Sequence, residues 1–148
     1  MDIYDYLKAD HRQVDKLFKL FENAPDTAAK IDYMTMIAQE LVIHAESEQA
    51  TFYKMLEKFQ TSKDEALHGE KEHVEIENLI HQIMHSTQKG KAWEKKVMDL
   101  KDLVQHHVKE EEGKIFRRAK KVLTQEDTFI IKEQMHFLKG KLLDKMGM

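Results

Sequence analysis

Apolar residues recur along this chain at steps of three and four, the spacing that gathers them on one face of an α-helix. The first stripe reads Leu7, His11, Val14, Phe18 and Phe21. The second reads Ile37, Leu41, His44, Glu48, Phe52, Met55 and Phe59. His73, Ile76, Ile80 and Ile83 form the third, and Trp93, Val97, Leu100, Val104, His107, Glu111 and Ile115 the fourth. Turn chemistry falls between the stripes. A first helix over about 3–21, with Asp2 as N-cap, stops before Asn23-Ala24-Pro25-Asp26; Pro25 cannot continue it, and Asp26 or Thr27 can cap the next. A second helix is expected over about 28–59, after which Ser62 and Glu65 read as a capping box for a third that reaches about Ser86. Thr87-Gln88-Lys89-Gly90 then precedes a fourth helix over about 91–122, and Thr124 with Asp127 opens a fifth that ends near Met146.

Four long helices joined by short loops predict an all-α, antiparallel up-down four-helix bundle. The fifth helix carries Ile131, Met135, Leu138, Leu142 and Met146 on one face, so it must cover something. It either packs on its own bundle, giving a monomer, or joins two copies into a homodimer. The expected organisation is one domain over 1–148, with the bundle at about 3–122 and the C-terminal amphipathic helix at about 125–146.

Composition narrows the chemistry. One Pro and five Gly in 148 residues suit a nearly all-helical chain. The absence of Cys excludes thiolate zinc sites, iron–sulfur clusters and a Cys nucleophile. A net charge of −3 gives no basic field for nucleic acid. No segment approaches the ~18 uncharged apolar residues of a membrane span, and the N-terminal stretch lacks the apolar region of a signal peptide. A cytoplasmic location is therefore expected. Gly-rich phosphate loops, Ser-nucleophile motifs and basic-aromatic patches are missing as well.

The informative residues are polar ones inside apolar stripes. Each of the four bundle helices places a His where Leu or Ile would be expected: His11, His44, His73 and His107. In the second and fourth helices a Glu follows four residues later, only about 40° further round. One such His would be an ordinary core histidine. Four at matching depths, with Glu48 and Glu111 facing inward and no basic residue on the stripes to neutralise them, make a metal ion the natural partner. Four imidazoles and two carboxylates exceed one tetrahedral zinc, while calcium and magnesium prefer all-oxygen shells. Two octahedral irons fit the count, and manganese is not excluded.

These residues resemble the hemerythrin-like family of HHE cation-binding domains. The resemblance covers about residues 5–118 and rests on LKADHRQVD with His11, LVIHAESEQATFY with His44 and Glu48, EKEHVEIENLI with His73, and HHVKEEEGKIFRRA with His107 and Glu111. It implies a bundle holding two iron ions (Fe2+ or Fe3+, oxo- or hydroxo-bridged) that meet dioxygen, nitric oxide or peroxide. Two departures stand out. Oxygen carriers of the family have a fifth His four residues after the one on helix 3, where this chain has Glu77; Glu77 either supplies the ligand itself or leaves both irons more open. His106 lies five residues before Glu111, the carrier spacing, whereas the apolar register favours His107. Glu77 and His106 therefore stand as alternative ligands.

Other candidates rank lower. Asp15 either orients His11 or is solvated. Glu70 with His73 makes one E-x-x-H, and the ferritin-type site needs two. His81 and His85 are expected at the surface, His68 and His136 have no partner pattern, and Phe52 and Ile115 are expected to wall the ligand pocket. The function expected is binding of a small molecule for sensing, storage or stress handling. A redox enzyme acting on peroxide or nitric oxide, or repairing iron centres, is the alternative. An iron-buffering or helical interaction module is a third reading.

Overall fold

The computed structural model describes residues 1–147. Five helices and no strands are present among them. Helix α1 spans Ile3–Glu22, capped by the Asp2 carboxylate accepting from the Asp5 amide. Helix α2 covers 27–56 and is capped by Asp26, which accepts from the Ala29 amide at 2.8 Å. Helix α3 is Gln60–Met84, and α4 covers 91–122. Helix α5, Gln125–Lys145, starts with the capping box expected of Thr124 and Asp127.

One boundary differs from the sequence reading. Helix α2 ends at Leu56 rather than Phe59, and Phe59 is the extended residue before α3. Ser62 is not a cap: it is fully buried, and its hydroxyl donates to the Leu56 carbonyl at 2.7 Å. The hydroxyl thus satisfies the frayed end of α2 instead of the start of α3.

Two of the helices are not α-helical throughout. Helix α2 is Thr27–Glu48, then a π turn at Gln49–Tyr53, then Lys54–Leu56. Helix α4 repeats the design, with Lys91–Glu110, a π turn at Glu111–Ile115 and Phe116–Val122. A π turn inserts one residue into the helical ladder and shifts everything beyond it round the axis. After Glu48 the buried face therefore continues through Phe52, Tyr53 and Leu56, and Met55 turns half outward. After Glu111 it continues through Ile115, Phe116 and Ala119.

Packing divides into two apolar clusters. One unites Val14, Phe18, Phe21, Ile37, Leu41, Ile76, Ile80, Trp93, Leu100 and Val104 among others. The second, at the opposite end, holds Ile3, Leu7, Phe52, Tyr53, Leu56, Ala66, Ile115, Phe116 and Ala119, with Ile131 and Met135 from α5. Helix α5 thus seals its own bundle against α1 and α2. Between the clusters lies a polar layer: His44, Glu48, Glu72, His73, His107 and Glu111 are all buried there.

Tyr4 lies within the second cluster, 5.0 Å from the Phe116 ring, and its hydroxyl has no hydrogen-bond partner. Burial, helped by Asp2, raises its pKa to about 12. Between about pH 10, where a free tyrosine ionises, and about 12, the folded chain keeps a proton that the unfolded chain releases, so stability falls with pH across that window. Tyr4→Phe should remove this part of the alkaline loss and, by deleting an unsatisfied buried hydroxyl, leave the protein at neutral pH as stable or more stable by about 1 kcal/mol. Urea unfolding of both proteins at neutral pH and at several values above 10 measures both effects.

Candidate metal centre

The four bundle helices deliver their histidines to the waist between the two clusters. His11 comes from α1, His44 and Glu48 from α2, His73 from α3, and His107 and Glu111 from α4. Both carboxylates are fully buried and stand at the start of the π turns, so the unwinding begins where each Glu must face inward.

The imidazole Nε2 atoms converge on these carboxylates. His73 Nε2 is 3.1 Å from Glu48 Oε1, and His44 Nε2 is 3.5 Å from the same oxygen. His11 Nε2 lies 3.0 Å from Glu111 Oε1, and His107 Nε2 lies 3.5 Å from Glu111 Oε2. Two sets of ligand atoms compact enough for one cation each result: Glu48, His73, His107 and Glu111, and His11, His44 and Glu111. They share Glu111, and Glu48 touches His residues of both. Yet His11 Nε2, His44 Nε2, both Glu48 oxygens and Glu111 Oε1 are buried without a hydrogen-bond partner. Buried polar atoms are nearly always paired. Five orphans aimed into one space are what a pair of cations would satisfy.

The hemerythrin HHE cation-binding domain matches residues 2–119 of this chain. The chain belongs to that family. A DNA nickase of Nostoc sp. is 27% identical over 148 residues, which cover 99% of this chain and 42% of the relative. The chain thus spans less than half of that relative's length. No solved structure matches.

The hemerythrin domain adds a ring of outer partners that sequence reading missed. Every ligand-side imidazole is held at its other nitrogen. Asp10 meets His44 Nδ1 at 2.9 Å, Gln49 Oε1 meets His73 Nδ1 at 2.8 Å, Glu72 meets His107 Nδ1 at 2.8 Å, and Glu112 meets His11 Nδ1 at 2.6 Å. Each helix holds the histidine of the next, from α1 round to α4 and back to α1. Such contacts fix ring orientation and tautomer, leaving Nε2 free for a metal. The signal was present in the chain: each holder adjoins a member of the inner set, as Asp10 does His11, Gln49 does Glu48, Glu72 does His73 and Glu112 does Glu111. One residue along a helix is about 100° round it, which aims the holder at the neighbouring seam.

Charge follows this arrangement. Burial opposes a proton on His44, but Glu48 and Asp10 raise its pKa to about 10; His107, beside Glu111 and Glu72, likewise reaches about 10. Burial would also protonate Glu111, but His107 and His11 hold it well below the usual carboxylate range. Asp10 is pushed up by burial and pulled further down, to about 2, by His44 and by Lys139 of α5, whose ammonium lies 2.7 Å away.

Tyr53 is another residue that the helical stripe did not single out, because the π turn brings it inward. It is fully buried, stacks on His73 with ring centres 5.2 Å apart, and donates its hydroxyl proton to Glu111 Oε2. Burial, then Glu111, keeps that proton on by raising its pKa well above 10.

The remaining candidates fall outside the inner sets. Glu77 is half-buried on α3 and belongs to neither set. His106 faces outward with its side chain 61% exposed, while His107 occupies the centre. Asp15 pairs with Lys19 and leaves His11 to Glu112. His81 and His85 are at the surface. His136 does have a partner, the Tyr6 hydroxyl at 2.9 Å. Phe52 and Ile115 do not line the cavity beside the histidines, which opens on the other side of the layer; Ile115 borders an outer cleft beside His68 instead.

Gly69 tests the position of Tyr53. A Cβ there would come within 2.7 Å of the Tyr53 Oη and 2.8 Å of its Cζ, both on a ring clamped in the core. Gly69→Ala should destabilise the fold by about 1–3 kcal/mol through overpacking. Gly140→Ala on α5, where a Cβ meets nothing within 4 Å, should gain about 0.5–1 kcal/mol from helix propensity. Denaturant unfolding of the two variants beside the parent checks both signs.

Proposed function

We propose that this hemerythrin domain binds a pair of iron ions through His11, His44, Glu48, His73, His107 and Glu111, and presents them to a molecule the size of dioxygen, nitric oxide or peroxide. The observation that carries the reading is the set of five unpartnered buried atoms enclosed by imidazoles already held at Nδ1. The donor set of nitrogen and carboxylate oxygen, without sulfur, suits iron or manganese. The ions would supply the redox-active, ligand-accepting centre. The chain's own residues hold the donors in place, exclude bulk water and limit what enters.

Size selection has a structural basis. A cavity of about 30 Å³ borders all four imidazoles and is otherwise lined by Val14, Leu41, Ala45, Ile76, Val104 and Val108. One water needs about 10–15 Å³ by the same kind of measure, so the space suits a diatomic and not an organic substrate. An outer groove of about 260 Å³ between α1 and α4 shares His11, Val14, Val104 and Val108 with it, which makes this seam the entry route.

Turnover of peroxide or nitric oxide is the second reading, favoured by Tyr53. Its neutral hydroxyl, on Glu111 and 3.4 Å from His107 Nε2, places a proton donor at the edge of the centre. DNA nicking, named for the Nostoc relative, belongs to a protein more than twice as long, and the net charge of −3 does not favour it here.

Ferrous loading without air, followed by metal analysis, should give about two irons per chain and a new visible absorption when air is admitted. Glu48→Gln and Glu111→Gln should each lower the iron content, His136→Ala should leave it unchanged, and chelation should lower the melting temperature. Equal iron in all the proteins would remove the site. Reversal of the absorption under vacuum supports binding; consumption of peroxide or nitric oxide supports turnover. Val108→Phe, at the neck of the entry route, should slow the spectral change several-fold without changing iron content, as stopped-flow mixing with dissolved gas would record.

A further inference from the structure

Outside the inner centre, the seam between α3 and α4 carries a second His–carboxylate cluster. His68, read from sequence as having no partner pattern, lies four residues before Glu72 on α3, and His106 four before Glu110 on α4, so the H-x-x-x-E spacing of the inner centre recurs on each helix. His68 Nε2 is 3.5 Å from Glu72 Oε2 and 3.7 Å from Glu110 Oε2. His106 Nε2 approaches from the other side, 3.4 Å from Glu72 Oε2 and 3.7 Å from Glu110 Oε1. None of these four pairs is a hydrogen bond. Two ligands at 2.0–2.1 Å from a tetrahedral ion stand about 3.4 Å apart; the ligand atoms of His68, Glu72 and Glu110 lie close enough to one another to surround one cation, and His106 stands beside that set.

Glu72 gives the cluster its direction. It is 5% exposed, and one oxygen accepts from His107 Nδ1. The other, Oε2, has no hydrogen bond and points to the two outer imidazoles. A buried carboxylate with one oxygen committed inward and one uncommitted outward has the form of a link between the inner layer and the surface. His68, with its side chain 54% exposed, is the reachable ligand, His106 flanks it at 61%, and an adjoining cleft of about 390 Å³, lined by Asp64, Glu65, His68, Glu110, Lys114 and Ile115, carries three carboxylates against one ammonium at the approach.

We propose that His68, Glu72 and Glu110, with His106 at their margin, form a separate, solvent-facing site for one divalent transition-metal ion of the zinc or ferrous class. This site does not depend on the iron reading of the inner centre. Where that reading holds, an ion on Glu72 Oε2 draws charge from the carboxylate, weakens its grip on the His107 Nδ1 proton and so alters the donor strength of His107 toward the inner metal.

Cobalt(II) is the probe, because its visible absorption reports coordination number. Equilibrium titration of the full chain compares wild type, the His68→Ala/His106→Ala double variant and Glu111→Gln. The double variant changes only exposed side chains and should bind one cobalt per chain fewer than wild type, losing the intense bands of a four-coordinate ion. Glu111→Gln should keep those bands even if its inner ligands fail. Identical cobalt stoichiometry and spectra in wild type and the double variant would overturn the outer site, whereas loss of the inner equivalents alone in Glu111→Gln would leave it standing. His106→Ala by itself should weaken the outer ion on the order of tenfold; no change in its affinity would remove His106 from the site.

Discussion

Everything in this molecule is arranged around a slab of charge buried at its waist. Two fully desolvated glutamates would be costly in an apolar interior, where unpaired charge is penalised by several kcal/mol per ion. The fold meets that constraint by surrounding Glu48 and Glu111 with four imidazoles and by tying each imidazole, at its far nitrogen, to the helix next to it. The apolar clusters on either side supply the hydrophobic stabilisation, but they do not merge. The polar layer separates them, and the ring of contacts from helix to helix fixes the rotation of each helix about its own axis.

The two π turns belong to the same constraint. A regular α2 or α4 could place His and Glu on one face, but the stripe would then run on through Met55 and leave Tyr53 at the margin. One extra residue after each glutamate brings Tyr53 beneath Glu111 and Leu56 into the second cluster. Gly69 is the counterpart on α3, where only a hydrogen leaves room for the phenol. A helical irregularity and an aromatic ring on α2 and a glycine on α3 thus form one packing unit, and its product is a proton donor against a buried carboxylate.

The helices, the bundle and the convergence of six polar residues were legible because they depend on periodicity and turn chemistry, which are local. His107 was separable from His106 by register alone, and Asp2, Asp26 and Thr124 cap as their side chains suggest. What escaped was long-range. A π turn has no clear sequence signature, so the change of register after Glu48 and Glu111 was invisible, and Phe52 and Ile115 were assigned to the wrong side of the layer. Ser62 looked like a cap because Glu65 follows it, but its hydroxyl is used by the preceding helix end. The outer holders were hidden by ordinary composition: Asp10, Glu72 and Glu112 read as surface charge until the neighbouring helix is in place.

Helix α5 lies beyond residue 119, where the family match stops, yet Lys139 grips Asp10, and Asp10 orients His44. Ile131 and Met135 meanwhile cover the floor of the second cluster. The segment matched by the family and the mechanical unit therefore do not coincide. A chain trimmed at the family boundary would retain every residue of the inner His–Glu set and still lose the counter-charge behind one of them, together with the lid on its lower core. Modularity in this protein ends one helix later than the family match does.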